Sequence, residues 1–274
     1  MNKKLILPLL LLIGCSKTPN IQNNLKEVNI ENKLINNYQI SKSSLTKLHN
    51  NYYFFTPTNN GINLFKLNQN YDLVQKKHIN MLLDPKKMVS NNQNLYLLAY
   101  DQDKNRPVIL VLDKNLNIKK VKYVGDKFDE PRDIVFDNNL TTLLLTYKKG
   151  ADIKIASTKT YTFSLKDNQF PKFIKRYKGG FLIIGSNQSS KGEDLLIMYV
   201  KDKKIIWAKT YDFGMEDTPK KATLKNNKLI IDVTSQDYMG ALQEYKIEVN
   251  PDNGKIFKKE KGLSLKPLPL KFRT

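Results

Sequence analysis

Residues 171–184 have the sequence PKFIKRYKGGFLII, and this stretch decides the fold. A proline and a base open a strand-like segment, Gly179-Gly180 interrupts it, and the apolar run Phe181 to Ile184 follows. Glycine tolerates the positive φ that tight hairpin turns require. The stretch therefore predicts two antiparallel strands joined by a short turn.

The same polar turn followed by an apolar strand recurs along the chain. The second turn residues are Asn51, Asn94, Asn139, Gly180 and Asn227. They are 43, 45, 41 and 47 residues apart. A period of about 40–50 residues that contains several short strands is typical of β-propeller blades.

Two further sequence marks keep the same phase. A second apolar strand follows four of the turns, at 63–67, 108–112, 195–200 and 245–249. A proline–base pair precedes four of the turns, at Pro85-Lys86, Pro131-Arg132, Pro171-Lys172 and Pro219-Lys220. Because proline is tolerated at the first residue of a strand, each pair predicts the start of a blade's innermost strand.

The sequence therefore predicts an all-β protein, a β-propeller of about five four-stranded blades. The predicted repeats are 43–84, 85–127, 128–168, 169–214 and 215–261. Residues 38–40 and the tail from Leu263 to Phe272 are candidates to close the ring, or to form a sixth, composite blade. The main alternative is a β-sandwich. That fold does not explain why the turns, the second strands and the proline–base pairs all repeat with the same spacing.

The N-terminal residues 1–15, MNKKLILPLLLLIGC, have the form of a secretory signal, with a basic start and a short apolar run. Leu12-Ile13-Gly14-Cys15 resembles the lipobox of bacterial lipoproteins, and Cys15 is the only cysteine. The resemblance implies a signal peptide at 1–14 and lipidation of Cys15. Residues 16–24 show no apolar periodicity, which predicts a lipidated tether at 15–24, and the repeats predict a propeller domain at 25–274. Ser16 then implies an outer-membrane location in a Gram-negative host. The alternative is a short signal with an incidental cysteine.

The chain carries 46 Lys and Arg against 26 Asp and Glu, a net charge of +20. Such a charge attracts anionic surfaces. In an exported protein this predicts an acidic protein, a glycan or a lipid headgroup as partner, and no nucleic acid. The alternative explanation of the positive charge is an AT-rich genome, which raises the Lys and Asn content without any binding function.

The bases of the proline–base pairs are the candidate binding residues. In a propeller the innermost strands enter at one mouth of the central channel, so the bases would recur around that mouth. The candidate anion- or partner-binding set is Lys86, Lys87, Arg132, Lys172, Lys220 and Lys221. The alternative is independent solvated bases that nearby acids neutralise, with Asp84, Glu130, Asp133 and Asp217 available for this role.

Enzyme chemistry has little support in the sequence. It contains only two histidines, and no spacing resembles a zinc site, a phosphate loop or a nucleophile elbow. We expect no catalytic residues, no metal and no cofactor, and a quinone is unsupported. The acidic stretches at 101–103 and 126–130 are expected to be solvated turns, because neither completes a calcium loop.

Two segments carry a family resemblance. Gly180 to Ser186 leading to Ile205 to Tyr211, and the turn Asn253 to Ile256, resemble blades of exported propeller lipoproteins of the quinoprotein, BamB-like type. The resemblance and the lipobox together imply a lipid-anchored envelope protein that binds rather than catalyses. The alternatives are a carbohydrate-active or other hydrolytic propeller, which needs carboxylates at the channel mouth, and a small-ligand sensor, which needs a deep apolar pocket.

Overall fold

The computed structural model describes residues 44–147 and 150–265, without the side chains of Asp137 and Leu265. The predicted signal peptide, Cys15, the tether, residues 38–40 and the tail from residue 266 lie outside the described residues.

The described chain is all-β and builds four-stranded antiparallel sheets in chain order. The first sheet contains β1 (Thr46–Leu48), β2 (Asn51–Thr58), β3 (Gly61–Leu67) and β4 (Leu73–Ile79). The second contains β5 (Leu83–Ser90), β6 (Leu95–Asp101), β7 (Arg106–Leu112) and β8 (Ile118–Tyr123). The third contains β9 (Glu130–Asp137), β10 (Asn139–Thr146), β11 (Asp152–Ala156) and β12 (Thr160–Phe163).

The C-terminal strands form two such units joined into one eight-stranded sheet. The first unit contains β13 (Asn168–Tyr177), β14 (Gly180–Ser189), β15 (Gly192–Lys201) and β16 (Lys204–Tyr211). The second contains β17 (Glu216–Lys225), β18 (Lys228–Gln236), β19 (Leu242–Val249) and β20 (Ile256–Leu265). One parallel pairing, Glu193 with Glu216, joins β15 to β17. Consecutive units otherwise pack through their sheet faces, and this is the one strand pairing between units among the described residues.

The hydrophobic core lies between successive sheets. Leu97 packs against residues of the first sheet, and its neighbour Leu98 packs against Ile134 and Leu144 of the third. Such alternation follows from the two-residue period of a strand. Inner strands are therefore buried on both faces, and β11 is buried at all five positions, including Asp152 and Lys154.

Most of the predicted turns have the backbone that their residues favour. Asn138, Gly179, Asn226 and Asn227 all have positive φ, between 50° and 79°. The first turn lies slightly earlier than predicted, because His49 rather than an asparagine takes the positive φ of 53°. The turn before Leu95 instead uses the Asn91 side chain, which accepts the N–H groups of Gln93 and Asn94 at 2.9 and 2.7 Å.

The predicted role of the prolines is wrong in detail. The strands β5, β9, β13 and β17 begin one to three residues before their prolines, so none of the prolines starts a strand. Each proline instead begins a β-bulge, where the register slips by one residue. A bulge suits proline because the ladder is already interrupted there and no donor is lost.

The described part of the tail extends the last sheet. Leu263 lies in β20, whose Leu265 pairs with Leu242 of β19, so these residues do not form a further sheet. No closed sheet is detected among the residues that the structure describes.

Candidate anion-binding site

The bases of the four proline–base pairs occupy one equivalent position. In β5, β9, β13 and β17 the residue after the proline is the one left without a register partner. These bulge residues are Lys86, Arg132, Lys172 and Lys220. The first strand of each sheet also contacts the first strand of the next, so the four bulges lie on successive neighbouring strands. Bulges commonly redirect a side chain at a binding site.

Two of the four bulge bases are neutralised within their own strand. Lys86 Nζ lies 2.5 Å from Asp84, and an Arg132 guanidinium nitrogen lies 2.7 Å from Glu130. In both cases the acid precedes the base by two residues. The alternative that nearby acids neutralise the bases therefore applies to Lys86 and Arg132.

The other two bulge bases have no acid at the equivalent position. Phe170 precedes Lys172 by two residues, and Thr218 precedes Lys220. Within 44–147 and 150–265, neither lysine forms an ion pair with another described residue, although Lys172 Nζ lies 5.9 Å from the Phe173 ring centre. Both residues are exposed.

Lys172 is influenced by the charges of the bulge bases on either side of it. Partial burial lowers the pKa of Lys172, and the positive charges of Lys220 and Arg132 lower it further, against the opposing effect of Glu193. Arg132 and Lys220 occupy the bulges of β9 and β17, the two first strands that contact β13. The structure thus brings together Arg132, Lys172 and Lys220, which we call the basic triplet.

Arg132 adds an unused donor to the basic triplet. Its Nε is buried and has no hydrogen-bond partner among the described residues, although another guanidinium nitrogen binds Glu130. Lys220 also borders a surface cavity of about 440 Å³ over the last sheet, whose lining includes Asp232, Glu244 and Glu260. The same cavity is also lined by Lys246 and Lys261, so acids and bases alternate around it.

Lys87, another predicted site residue, belongs to a different cluster. Its Nζ lies 2.5 Å from Oδ1 of Asp133, which is 2% exposed. Asp133 Oδ2 accepts the backbone N–H of Ile174 at 2.9 Å, so one carboxylate connects β5, β9 and β13. Lys175 is also influenced by this carboxylate, while burial lowers the pKa of Lys175. Lys221, the last predicted residue, is exposed on β17 beside Lys220.

Three of the four prolines are preceded, two positions earlier, by a buried polar residue that anchors the loop before the strand. Asp129, Gln169 and Asp217 are each 2% exposed or less. Each accepts a backbone N–H from the preceding loop: that of Asp126 at 2.6 Å, Leu165 at 3.0 Å and Phe213 at 2.7 Å. Sequence analysis missed this repeated contact, although the polar residues stand at a constant offset from the prolines. Asp217 is therefore not the neutralising partner of Lys220.

The expectation of solvated acidic turns is wrong at two residues. Asp129 is buried, and its carboxylate lies 2.5 Å from the Nζ of Lys154, which is itself buried and also lies 3.0 Å from Asp126. Asp101 is 4% exposed and accepts a hydrogen bond from the Tyr123 hydroxyl at 2.7 Å. Both acids stabilise the fold through partners that are distant in sequence.

Four-stranded antiparallel units that pack face to face in chain order define a β-propeller-like architecture, and comparison with solved structures agrees. A puromycin-hydrolysing peptidase from Mycobacterium tuberculosis matches 79% of this chain at 9% identity and a TM-score of 0.54. The dihydro-heme d1 dehydrogenase NirN matches 81% at 12% identity and 0.50. BamB from Moraxella catarrhalis matches 80% at 13% identity, with a lower TM-score of 0.45.

The similarities to the peptidase and the dehydrogenase show the fold alone. The chain spans 37% of the peptidase, 48% of the dehydrogenase and 63% of BamB. No protein-family model matches the chain, and no curated protein is similar to it in sequence. None of the residues that the structure describes belongs to a helix able to cross a bilayer.

Proposed function

We propose that this protein is a lipid-anchored, non-catalytic binding protein of a bacterial envelope, whose propeller binds an acidic partner at the basic triplet. The five four-stranded units would form blades around a central channel, one blade for each sequence repeat. Lipidated Cys15 would hold the protein at the membrane face.

The observation that carries the proposal is the position of the basic triplet. Three successive first strands present a base at the same bulge, and two of those bases have no acid within ion-pair distance in the described chain. Like charges that lie near one another repel, and an anion placed between them reduces that repulsion. The lowered pKa of Lys172 supports the proposal, because partial burial and the charges of Lys220 and Arg132 all lower it.

The chemistry of the triplet favours a carboxylate- or phosphate-rich partner. Arginine can bind an oxyanion through a fork of N–H donors, and lysine supplies a compact charge. A hydrolytic propeller would need paired carboxylates where this protein has bases. The geometry thus supports binding of an acidic surface better than hydrolysis.

Lysine modification in the presence of an acidic probe tests this function on the wild-type protein. Reductive methylation requires a neutral amine, so the lowered pKa of Lys172 should make it reactive in the free protein. Poly-L-glutamate, or vesicles that contain phosphatidylglycerol, should raise that pKa and cover the amine. We expect Lys172 and Lys220 to react several-fold more slowly with a bound probe, as measured by mass spectrometry of peptides.

Lys120 and Lys122 provide the matched control, because both are exposed on the outermost strand β8. Their modification rates should change little when the probe is added. Equal protection of all four lysines would mean that the probe responds only to net charge, and the proposed site would then be wrong.

A further inference from the structure

A second charged cluster lies where the last two sheets meet, and it is acidic. Asp194 is on β15, Asp212 is in the connection between β16 and β17, and Asp217 is on β17. One carboxylate oxygen from each lies within 4.8 Å of the others. In the described chain one strand pairing joins these two units, Glu193 with Glu216, and it involves the sequence neighbours of Asp194 and Asp217.

Asp217 is the buried member of this cluster. Asp217 is 0% exposed, and its Oδ2 accepts the N–H of Phe213 at 2.7 Å. Its Oδ1 is buried and has no hydrogen-bond partner among the described residues. A buried carboxylate oxygen without a donor is costly, and such atoms in native structures commonly mark a bound ion or water.

The acids also lack the basic partners that this chain could readily supply. Although the sequence contains 46 Lys and Arg, none of the three acids forms an ion pair with a described Lys or Arg. Burial raises the pKa of Asp217, and the charges of Asp212 and Asp194 add to this effect against the hydrogen bonds from Phe213 and Ser235. Three like charges thus lie close together, and no described Lys or Arg offsets their repulsion.

We propose that Asp194, Asp212 and Asp217 bind a hard divalent cation, of which calcium is the best candidate. Carboxylate oxygens are the ligands that calcium and magnesium prefer, and calcium accepts irregular sites that waters or backbone carbonyls complete. The cation would neutralise the repulsion and give Asp217 Oδ1 its missing partner. It would also cross-link β15 to β17 beside their single strand pairing.

Thermal unfolding of the chelator-treated protein tests the cation site. Millimolar calcium should raise the unfolding midpoint by about 2–6 °C, because a ligand that binds only the folded state stabilises it by mass action. Sodium chloride of equal ionic strength should not reproduce the rise. Asp212→Asn and Asp217→Asn should each abolish the calcium response and should unfold in chelator no earlier than the wild type, since each removes a repulsive charge.

Asp202→Asn is the control variant, because Asp202 lies in the β15–β16 turn at a φ of 48°, which asparagine readily adopts. It should keep the full calcium response. If the Asp217 variant does not fold, the exposed Asp212 variant and the control still decide the result. The proposal is wrong if calcium and magnesium leave the wild-type midpoint unchanged, or if the rise persists in Asp212→Asn.

Discussion

Replacing Lys154 with methionine should lower the free energy of unfolding by about 3–5 kcal/mol. The Lys154 side chain is 3% exposed and lies 2.5 Å from the equally buried carboxylate of Asp129. Methionine preserves the apolar stem but leaves Asp129 as a buried charge that retains only the N–H of Asp126. Removing one partner of a buried ion pair costs far more free energy than replacing the whole pair with apolar residues. Urea unfolding measures the loss.

A second substitution separates the uncompensated charge from the lost packing. Adding Asp129→Asn to Lys154→Met removes the unpaired charge, so the double variant should recover a substantial part of the lost stability. Lys159→Met, at an exposed residue of the same sheet, should change stability little. A loss below about 1 kcal/mol for Lys154→Met, the size expected of a solvent-exposed ion pair, would contradict the buried pairing.

Asp133→Ala should be destabilising by a similar amount, about 3–5 kcal/mol. Its carboxylate accepts the N–H groups of Ile134 and Ile174 at 2.8 and 2.9 Å and pairs with Lys87. Alanine leaves two buried donors and one half-buried cation without their acceptor. Because the three partners lie on β5, β9 and β13, the change loosens the strands that present the basic triplet.

Asp84→Ala is the matched control for Asp133→Ala. Asp84 also forms an ion pair, with its carboxylate 2.5 Å from Lys86 Nζ. Its side chain is 48% exposed, however, whereas that of Asp133 is 3% exposed. Exposed ion pairs contribute about 0–1 kcal/mol, so Asp84→Ala should lose little stability. Similar losses for both variants in urea unfolding would show that Asp133 does not connect the three strands as described.

The all-β, four-stranded organisation could be predicted because it depends on local chemistry. Asn138, Gly179, Asn226 and Asn227 take the positive φ that favours Asn and Gly, and each precedes an apolar strand. At the first turn His49 takes the positive φ, so the turn lies slightly earlier than the sequence predicts. Before Leu95 the Asn91 side chain forms the turn, which the sequence pattern does not indicate.

The proline–base pairs were recognised as a repeat, but their structural meaning was not. A proline is compatible both with the start of a strand and with a bulge, and the sequence alone does not distinguish these. Only the strand pairing shows that Lys172 and Lys220 are bulge residues.

The partners of the charged residues could not be predicted, because they are distant in sequence. Lys154 and Asp129 are 25 residues apart, and Asp133 and Ile174 are 41 apart. In strands that are buried on both faces, side-chain alternation does not identify exposed charges either. The sequence pattern therefore treats all the candidate bases as equivalent, while the structure separates Lys86 and Arg132, which pair with acids, from Lys172 and Lys220, which do not pair with any described acid.

The most direct test of the basic triplet compares two double charge reversals with the same net charge. Lys172→Glu/Lys220→Glu changes the triplet, and Lys120→Glu/Lys122→Glu changes the outer strand β8. Binding of fluorescein-labelled poly-L-glutamate is measured by anisotropy at near-physiological salt. We expect the first variant to bind about 10- to 100-fold more weakly and the second to stay within about threefold of the wild type. Equal losses in the two variants would contradict a site at the triplet, because binding would then follow net charge alone.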